Sequence, residues 1–122
     1  MPNTRVVASV VNVSVAAANG TIVPDIDIAS FDRIHVDVTL SGLAGGTAPA
    51  VTFTVERQDA NGIWRVLFAF AAQNANGSLS RSIGPALETS LLVPARLRVT
   101  WATTGAPSAA VGAVSIIGDT TG

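Results

Sequence analysis

The chain has 122 residues, of which 48% are hydrophobic and only 12% are charged, and its formal net charge is −1. This balance excludes the basic surface with which nucleic-acid-binding and peripheral membrane proteins hold anionic partners, so we expect neither nucleic acid nor a membrane as a partner. Cysteine is absent, which excludes a disulfide framework and a thiolate metal site.

The N-terminal segment combines Arg5 with an apolar run and superficially resembles a signal peptide. Asn12 and Ser14 interrupt that run, however, and leave alternating valines, which is typical of an extended strand. The sequence therefore predicts an N-terminal strand or arm over 1–20 and a single β-sandwich domain over 21–122. No apolar stretch reaches the roughly 20 residues that a membrane span requires.

Alternation of apolar and polar residues continues through the rest of the chain, most clearly where Ile34, Val36 and Val38 are separated by polar residues. Successive side chains of a strand face opposite sides, so this pattern predicts strands with one buried face and one solvated face. The predicted strands are 5–16, 21–29, 33–41, 50–58, 63–72, 77–83, 86–93, 95–103 and 109–118.

Turn-forming residues separate these strands, because Asn-Gly and Gly-Pro pairs supply the φ values that tight reversals need. The clearest hairpin turns at Asp59–Gly62. Two similar turns, Gly46-Thr47-Ala48-Pro49 and Gly105-Ala106-Pro107, precede similar strands and suggest equivalent hairpin corners. No segment of ten or more residues has helical periodicity. The remaining predicted turns are Asn19-Gly20, Gly42 to Gly46, Asn76-Gly77 and Gly84-Pro85.

Eight or nine short strands with turns at this spacing predict an all-β fold, an antiparallel β-sandwich with a jelly-roll-like topology. Its core should centre on large apolar side chains of the predicted strands, and each tryptophan should need a partner for its indole N–H. The predicted core residues are Phe53, Phe68, Phe70, Trp64, Trp101, Val36, Val38, Leu97 and Val99.

Three aspartates offer the first candidate for chemistry. Asp25 and Asp27 lie on one face of a strand, about 7 Å apart, and Asp32 follows nearby, so their oxygens could bind Ca²⁺. The alternative is the solvated face of an edge strand that follows Pro24, and the sequence favours it because calcium loops gather more oxygens.

Two further sets resemble catalytic groups. His35, Asp37 and Ser41 contain the residue types of a hydrolytic triad, but one strand spreads them in a row, whereas a triad needs contact between neighbours. The two glutamates, Glu56 and Glu88, would need an apolar cleft to act as a glycosidase pair. We therefore expect a protein that is not an enzyme and that has no catalytic residue, cofactor or metal.

All seven side-chain cations are arginines, whose planar guanidinium suits carboxylate pairing and burial at interfaces. The codon usage of a GC-rich genome would produce the same bias. Low charge on an apolar chain also indicates that partners cover much of the surface. The predicted interface residues are Val6, Val7, Val10, Val11, Arg33, Arg65, Arg96 and Arg98.

Two stretches carry a resemblance to a known class of proteins. The first combines a Gly-Thr-Ala-Pro turn at 46–49, a Thr/Val strand at 51–55, an Asp-to-Gly hairpin at 59–62 and Trp64; the second is the Arg-Leu-Arg-Val strand at 96–99 with its following turn. This pattern, over about 40–118, resembles small β-sandwich virion proteins of tailed bacteriophages. The resemblance implies a structural role as a capsid decoration (cement) protein on the capsid surface, with a head-fibre or tail component as the next possibility.

The major capsid protein is then the expected partner. Because the segments Val6 to Val15 and Ala109 to Ile117 carry apolar residues on both faces, they should lie in subunit contacts, within a homotrimer or, as the next possibility, a dimer. The rival hypothesis is a carbohydrate-binding fibre or tail module. It needs exposed aromatic side chains, and the sequence predicts that most of them are buried.

Overall fold

The computed structural model describes residues 3–28, 31, 33–59, 61–83 and 96–120. Within them the chain forms only β-strands and their connections, and no helix there is long and apolar enough to cross a membrane. The strands are β1 (Asn3–Ser14), β2 (Asn19–Asp27), β3 (Arg33–Ala44), β4 (Ala50–Gln58), β5 (Trp64–Ala69), β6 (Gly77–Ile83), β7 (Arg96–Thr104) and β8 (Ala109–Thr120).

Two four-stranded antiparallel sheets pack face to face. Sheet A has the order β1-β8-β3-β6, and sheet B has the order β2-β7-β4-β5. Because all connections between consecutive described strands except β4–β5 pass from one sheet to the other, this is the jelly-roll topology, and the predicted all-β antiparallel sandwich is confirmed.

Two of the predicted strands, 50–58 and 77–83, have the observed bounds, and the others differ by a few residues at their ends. The predicted turn at Asn19-Gly20 is wrong, since both residues belong to β2 and pair with β7. The reversal lies just before them. The predicted strand 86–93 and the turn at Gly84-Pro85 lie outside the described residues.

The core lies between the sheets and consists of inward-facing aliphatic side chains around Phe53, which is fully buried. Phe68 and Phe70 pack edge to face at the side of this cluster, with their ring centroids 5.2 Å apart. Trp101 is partly buried at one end of the core, where its Nε1 donates a hydrogen bond to the Ala17 carbonyl. The core prediction is thus confirmed for most of its residues.

Trp64 is the exception, because it lies on the outer face of sheet B. A bulge at Leu67 separates the pair Glu56–Val66 from the pair Val55–Phe68. One extra residue reverses the face on which every later side chain lies. Phe68 therefore faces the core, whereas Trp64 and Val66 face outward although they have the same parity in the sequence.

The two similar turns predicted from the sequence lie side by side and interlock. The Thr47 amide donates to the Gly105 carbonyl at 2.9 Å, and the Ser108 amide donates to the Ala44 carbonyl at the same distance. At Gly46 a Cβ atom would overlap the backbone of Gly105, and at Gly105 it would overlap the backbone of Thr47. The two turns approach closely because neither glycine has a side chain.

The predicted hairpin joins β4 to β5, and the Asp59 side chain holds its turn. Its Oδ1 accepts hydrogen bonds from the amides of Asn61 and Ile63, both at 2.9 Å, and its Oδ2 accepts one from Arg65 Nε at 2.7 Å. Gly62 occupies the turn at a φ of 80°. One carboxylate therefore satisfies three donors at this end of sheet B.

Candidate functional site

Three surfaces carry the side chains that the sequence singled out. The hydroxyl face is the outer face of sheet A, where serine and threonine side chains surround His35 and Asp37. The arginine face is the outer face of sheet B, which carries Arg96, Arg98 and Trp64. The free edge is the side of β1 that faces away from β8.

On the hydroxyl face, His35 connects two other polar side chains. Its Nδ1 lies 2.7 Å from Ser82 Oγ on β6, and its Nε2 lies 3.1 Å from Asp37 Oδ1 on its own strand. Nearby, the hydroxyls of Thr39 and Ser78 are 2.9 Å apart. These contacts join the edge strand β6 to the central strand β3.

The structure therefore brings serine, histidine and aspartate together, but with Ser82 instead of Ser41, which pairs with Val111. Their surroundings favour a structural role, because the side chains of His35 and Asp37 remain 40% and 39% exposed on an open sheet face. Covalent catalysis needs a concave site that excludes water and stabilises the developing charge.

Sequence reasoning missed Ser82 because β3 and β6 are distant in the chain and only the fold pairs them. A weak signal was present, since serine alternates at positions 78, 80 and 82 and marks one solvated strand face.

On the arginine face, Arg98 lies between a carboxylate and an aromatic ring. Its Nε donates to Glu56 Oε1 at 2.6 Å, and its guanidinium carbon is 4.5 Å from the centre of the Trp64 ring. Val66 is next to this group and is 63% exposed. This group combines one aromatic, one aliphatic and one ion-paired side chain on the outer face of sheet B.

Arg96 forms the second ion pair of this face, with its Nε 2.5 Å from Asp25 Oδ1. This hydrogen bond is the main reason why the pKa of Asp25 is lowered, and it raises the pKa of Arg96. An arginine therefore supplies the positive charge that a cation would bring to Asp25.

Neither carboxylate chemistry considered from the sequence gains support from this geometry. Asp32 lies outside the described residues, and in the part of the chain that the structure describes no three His, Cys, Asp or Glu side chains are grouped to hold a metal ion. Glu56 is paired with an arginine instead of lying in an apolar cleft, and Glu88 is outside the described residues.

Three of the four arginines predicted at subunit contacts form ion pairs within the chain: Arg65 with Asp59, Arg96 with Asp25, and Arg98 with Glu56. Arg33 is exposed at the start of β3, opposite Asp119 of β8. Their contribution to an interface stays a prediction.

The free edge contains the four valines of the predicted interface. Val6 and Val11 are 61% and 64% exposed, whereas Val7 and Val10 pack against the core. Two irregularities in the pairing of β1 with β8, between Val6 and Ala8 and between Val10 and Val13, divide the valines in this way. Only two of the four are therefore available to a partner in the isolated chain.

No protein-family profile and no curated protein sequence matches this chain. Solved structures match its whole length. The VP2 subviral particle of infectious bursal disease virus has a TM-score of 0.58 at 12% identity and covers 100% of this chain and 33% of that chain. The Gx strain of that virus gives a TM-score of 0.57 at 13% identity, over 100% of this chain and 34% of that one.

A carbohydrate-binding protein matches as well. The tandem CBM22-1–CBM22-2 domain of Paenibacillus barcinonensis Xyn10C has a TM-score of 0.52 at 19% identity and covers 99% of this chain and 42% of that chain. The chain thus spans about a third of the matched viral proteins and less than half of the tandem domain. At these identities the likeness shows a shared β-sandwich fold, found in viral capsid proteins and in carbohydrate-binding domains.

Proposed function

We propose that this protein is a non-enzymatic structural component of a virion, a decoration protein that binds assembled major capsid protein at the capsid surface. The observation that carries the proposal is the free edge. Strand β1 is twelve residues long, pairs on only one side with another of the described strands, and exposes Val6 and Val11. Such an edge favours pairing with another chain.

The mechanism would be strand addition together with apolar burial across the seams between capsid subunits. Backbone groups of an edge strand supply affinity in this mode of binding. Burial of apolar surface stabilises the contact by roughly 25 cal/mol for each Å² removed from water. Because the contact is repeated over many copies, the stabilisation of the whole particle is much larger. Stability against heat and internal pressure would follow from many modest contacts.

The polar groups of the described residues support a role without catalysis. Each set that could carry chemistry is already engaged in a structural contact: His35 with Ser82 and Asp37, Asp25 with Arg96, and Glu56 with Arg98. The shared fold with viral capsid proteins agrees with a structural role.

The test compares virus particles with and without the protein. Deleting its gene from the virus that carries it should lower the temperature at which particles release their genome, measured with a fluorescent nucleic-acid dye. Adding purified wild-type protein should restore that temperature, and adding a Val6→Glu, Val11→Glu variant should not. The proposal is refuted if mass spectrometry finds no copy of the protein in wild-type particles. It is also refuted if particles made after the deletion release their genome at an unchanged temperature.

A second candidate function, carbohydrate binding, is favoured by the position of Trp64. An indole on an outer sheet face beside Val66 and a fixed guanidinium can stack against the apolar face of a sugar ring. The wild-type protein on a glycan array, with Trp64→Ala as the site variant and Trp101→Phe as the control, separates the two functions. Binding that depends on Trp64 alone would favour the carbohydrate-binding function.

A further inference from the structure

On the side of β1 that faces away from β8, no described strand pairs with the backbone. Amides and carbonyls alternate there, and these groups need hydrogen-bond partners once water is removed. The pairing of β1 with β8 is regular between its two irregularities, through Ala8–Ile116, Ser9–Ser115 and Val10–Val114. Pairing is also regular from Asn3–Thr120 to Val6–Ile117, but that segment lies at the end of the strand and carries Arg5, whereas the central segment is uncharged. We therefore expect another strand to be received at the central segment.

The other three edge strands are poorer templates. Strand β2 contains Pro24, which has no amide hydrogen, and its register with β7 shifts twice. Strand β5 has six residues and the bulge at Leu67, and β6 has seven residues and begins at Gly77. Strand β1, with twelve residues, is the longest of the edge strands that the structure describes.

The distribution of charge on β1 decides how an identical strand would pair with it. Arg5 is the only charged residue between Asn3 and Ser14. A parallel, in-register pair would place the two Arg5 side chains on strands about 5 Å apart. An antiparallel pair centred near Ser9 separates them by eight residues, or about 27 Å, which is beyond the screening length of physiological salt.

We infer that two copies of this chain associate through β1 in an antiparallel arrangement, with a two-fold axis near Ser9. The two copies of sheet A then form a continuous eight-stranded sheet, four strands from each copy. The exposed Val6 of each copy lies near the Val11 of the other, so both apolar side chains lose solvent. An isologous contact of this kind closes with two copies, which favours the predicted dimer over the predicted trimer.

This inference does not rest on the proposed function, since it concerns the isolated protein in solution. Because only one side of β1 is free of other described strands, a strand of the capsid protein would replace the second copy there. The natural absence of cysteine provides the test, because a single introduced thiol can form a disulfide only between copies. A disulfide needs Cα atoms within about 4.4–6.8 Å. Ser9→Cys places the thiol near the axis, Val6→Cys places it about 20 Å from its copy in the antiparallel pair, and Ser80→Cys on β6 is the matched control.

After mild oxidation, Ser9→Cys should form a covalent dimer on a non-reducing gel, whereas Val6→Cys and Ser80→Cys should remain single chains. Crosslinking of both β1 variants would indicate parallel pairing and would overturn the inference. Equal crosslinking of all three would indicate random collision and would also overturn it.

Sedimentation of the cysteine-free protein provides an independent measurement. The wild type should sediment as a dimer. The Val6→Glu, Val11→Glu variant should have a dimer dissociation constant at least about tenfold higher, because like charges then meet across the interface. Circular dichroism establishes that the variant is folded. A wild-type protein that sediments as a monomer up to 100 µM would refute the dimer. A Kd of 100 µM corresponds to an association free energy of about −5.5 kcal/mol.

Discussion

At the scale of single residues, glycine is needed for different reasons in different turns. Gly46 and Gly105 belong to the interlocked turns, and Gly62 belongs to the β4–β5 hairpin. Gly46 and Gly105 have φ values of 69° and 76°, and each also has the other turn's backbone where a Cβ atom would lie. Gly62 has a φ of 80°, but the nearest atom to its Cβ position, Gln58 Nε2, is 3.6 Å away. Of these three positions, Gly46 and Gly105 lack space for a side chain and also have a left-handed backbone, whereas Gly62 has the left-handed backbone alone.

This difference leads to a direct prediction. Gly62→Ala should cost about 1–2 kcal/mol of unfolding free energy, the cost of the left-handed conformation. Gly105→Ala should cost about 2–5 kcal/mol, because overlap with the Thr47 backbone is added to it. Urea denaturation of both variants measures the difference, and equal losses would show that the turns separate easily.

At the scale of elements, the β4–β5 hairpin contains a titratable contact. The pKa of Asp59 lies below its usual value near 3.8, first because of the hydrogen bond from Arg65 and next because of the amide of Ile63. A lowered pKa in the folded state means that the carboxylate stabilises the fold above pH 4. This stabilisation is lost as the pH falls through the folded-state pKa.

Asp59→Asn should therefore be less stable than the wild type at pH 7, and the difference should shrink as the pH falls below 4. Asparagine keeps an oxygen for the amides of Asn61 and Ile63, so the change removes mainly the ion pair with Arg65. Thermal melts from pH 7 to pH 2.5 measure the difference. In an Arg65→Met background it should depend less on pH, and an unchanged dependence would contradict the role of Arg65.

Sequence patterns predicted the elements better than the faces on which their side chains lie. Strands and turns follow from local chemistry, which explains why β4 and β6 have the predicted bounds. A bulge depends on the register between two strands, and no residue type near Leu67 predicts one. Trp64 was consequently placed in the core, and the valines of β1 were not divided into two sets.

The candidate site was predictable only where it lies within one strand. Alternation placed His35 and Asp37 on the same face, and the structure agrees. Ser82 comes from a strand that only the jelly-roll topology brings next to β3, and the contact of Arg98 with Trp64 depends on the bulge. Pairing between distant strands is therefore the information that the sequence lacks.

At the scale of the whole molecule, little charge protects the protein from association. The net charge is −1 and the isoelectric point is about 5.6. Electrostatic repulsion between copies is therefore weak at neutral pH and vanishes near pH 5.6, where apolar contacts through Val6 and Val11 act without opposition.

Solubility should thus be lowest near pH 5.6. At pH 7 the Val6→Glu, Val11→Glu variant should be more soluble than a variant that carries two added glutamates elsewhere on the surface. A control variant, Ala102→Glu, Thr104→Glu, adds the same two charges at exposed positions of β7 and keeps both valines. Ammonium sulfate precipitation midpoints compare the three proteins. Equal midpoints for the two variants would show that the valines do not cause association.

The pairing of β1 with β8 has a further consequence, for the order of the chain. Asn3 lies opposite Thr120, so the first and last described residues are neighbours on adjacent strands. A linker of a few residues could join the two ends, and new ends could be opened at the exposed turn of Asn61 and Gly62. Such a circular permutant would retain every strand pair of the sandwich, which makes the linear order of these strands a property of the gene and not a requirement of the fold.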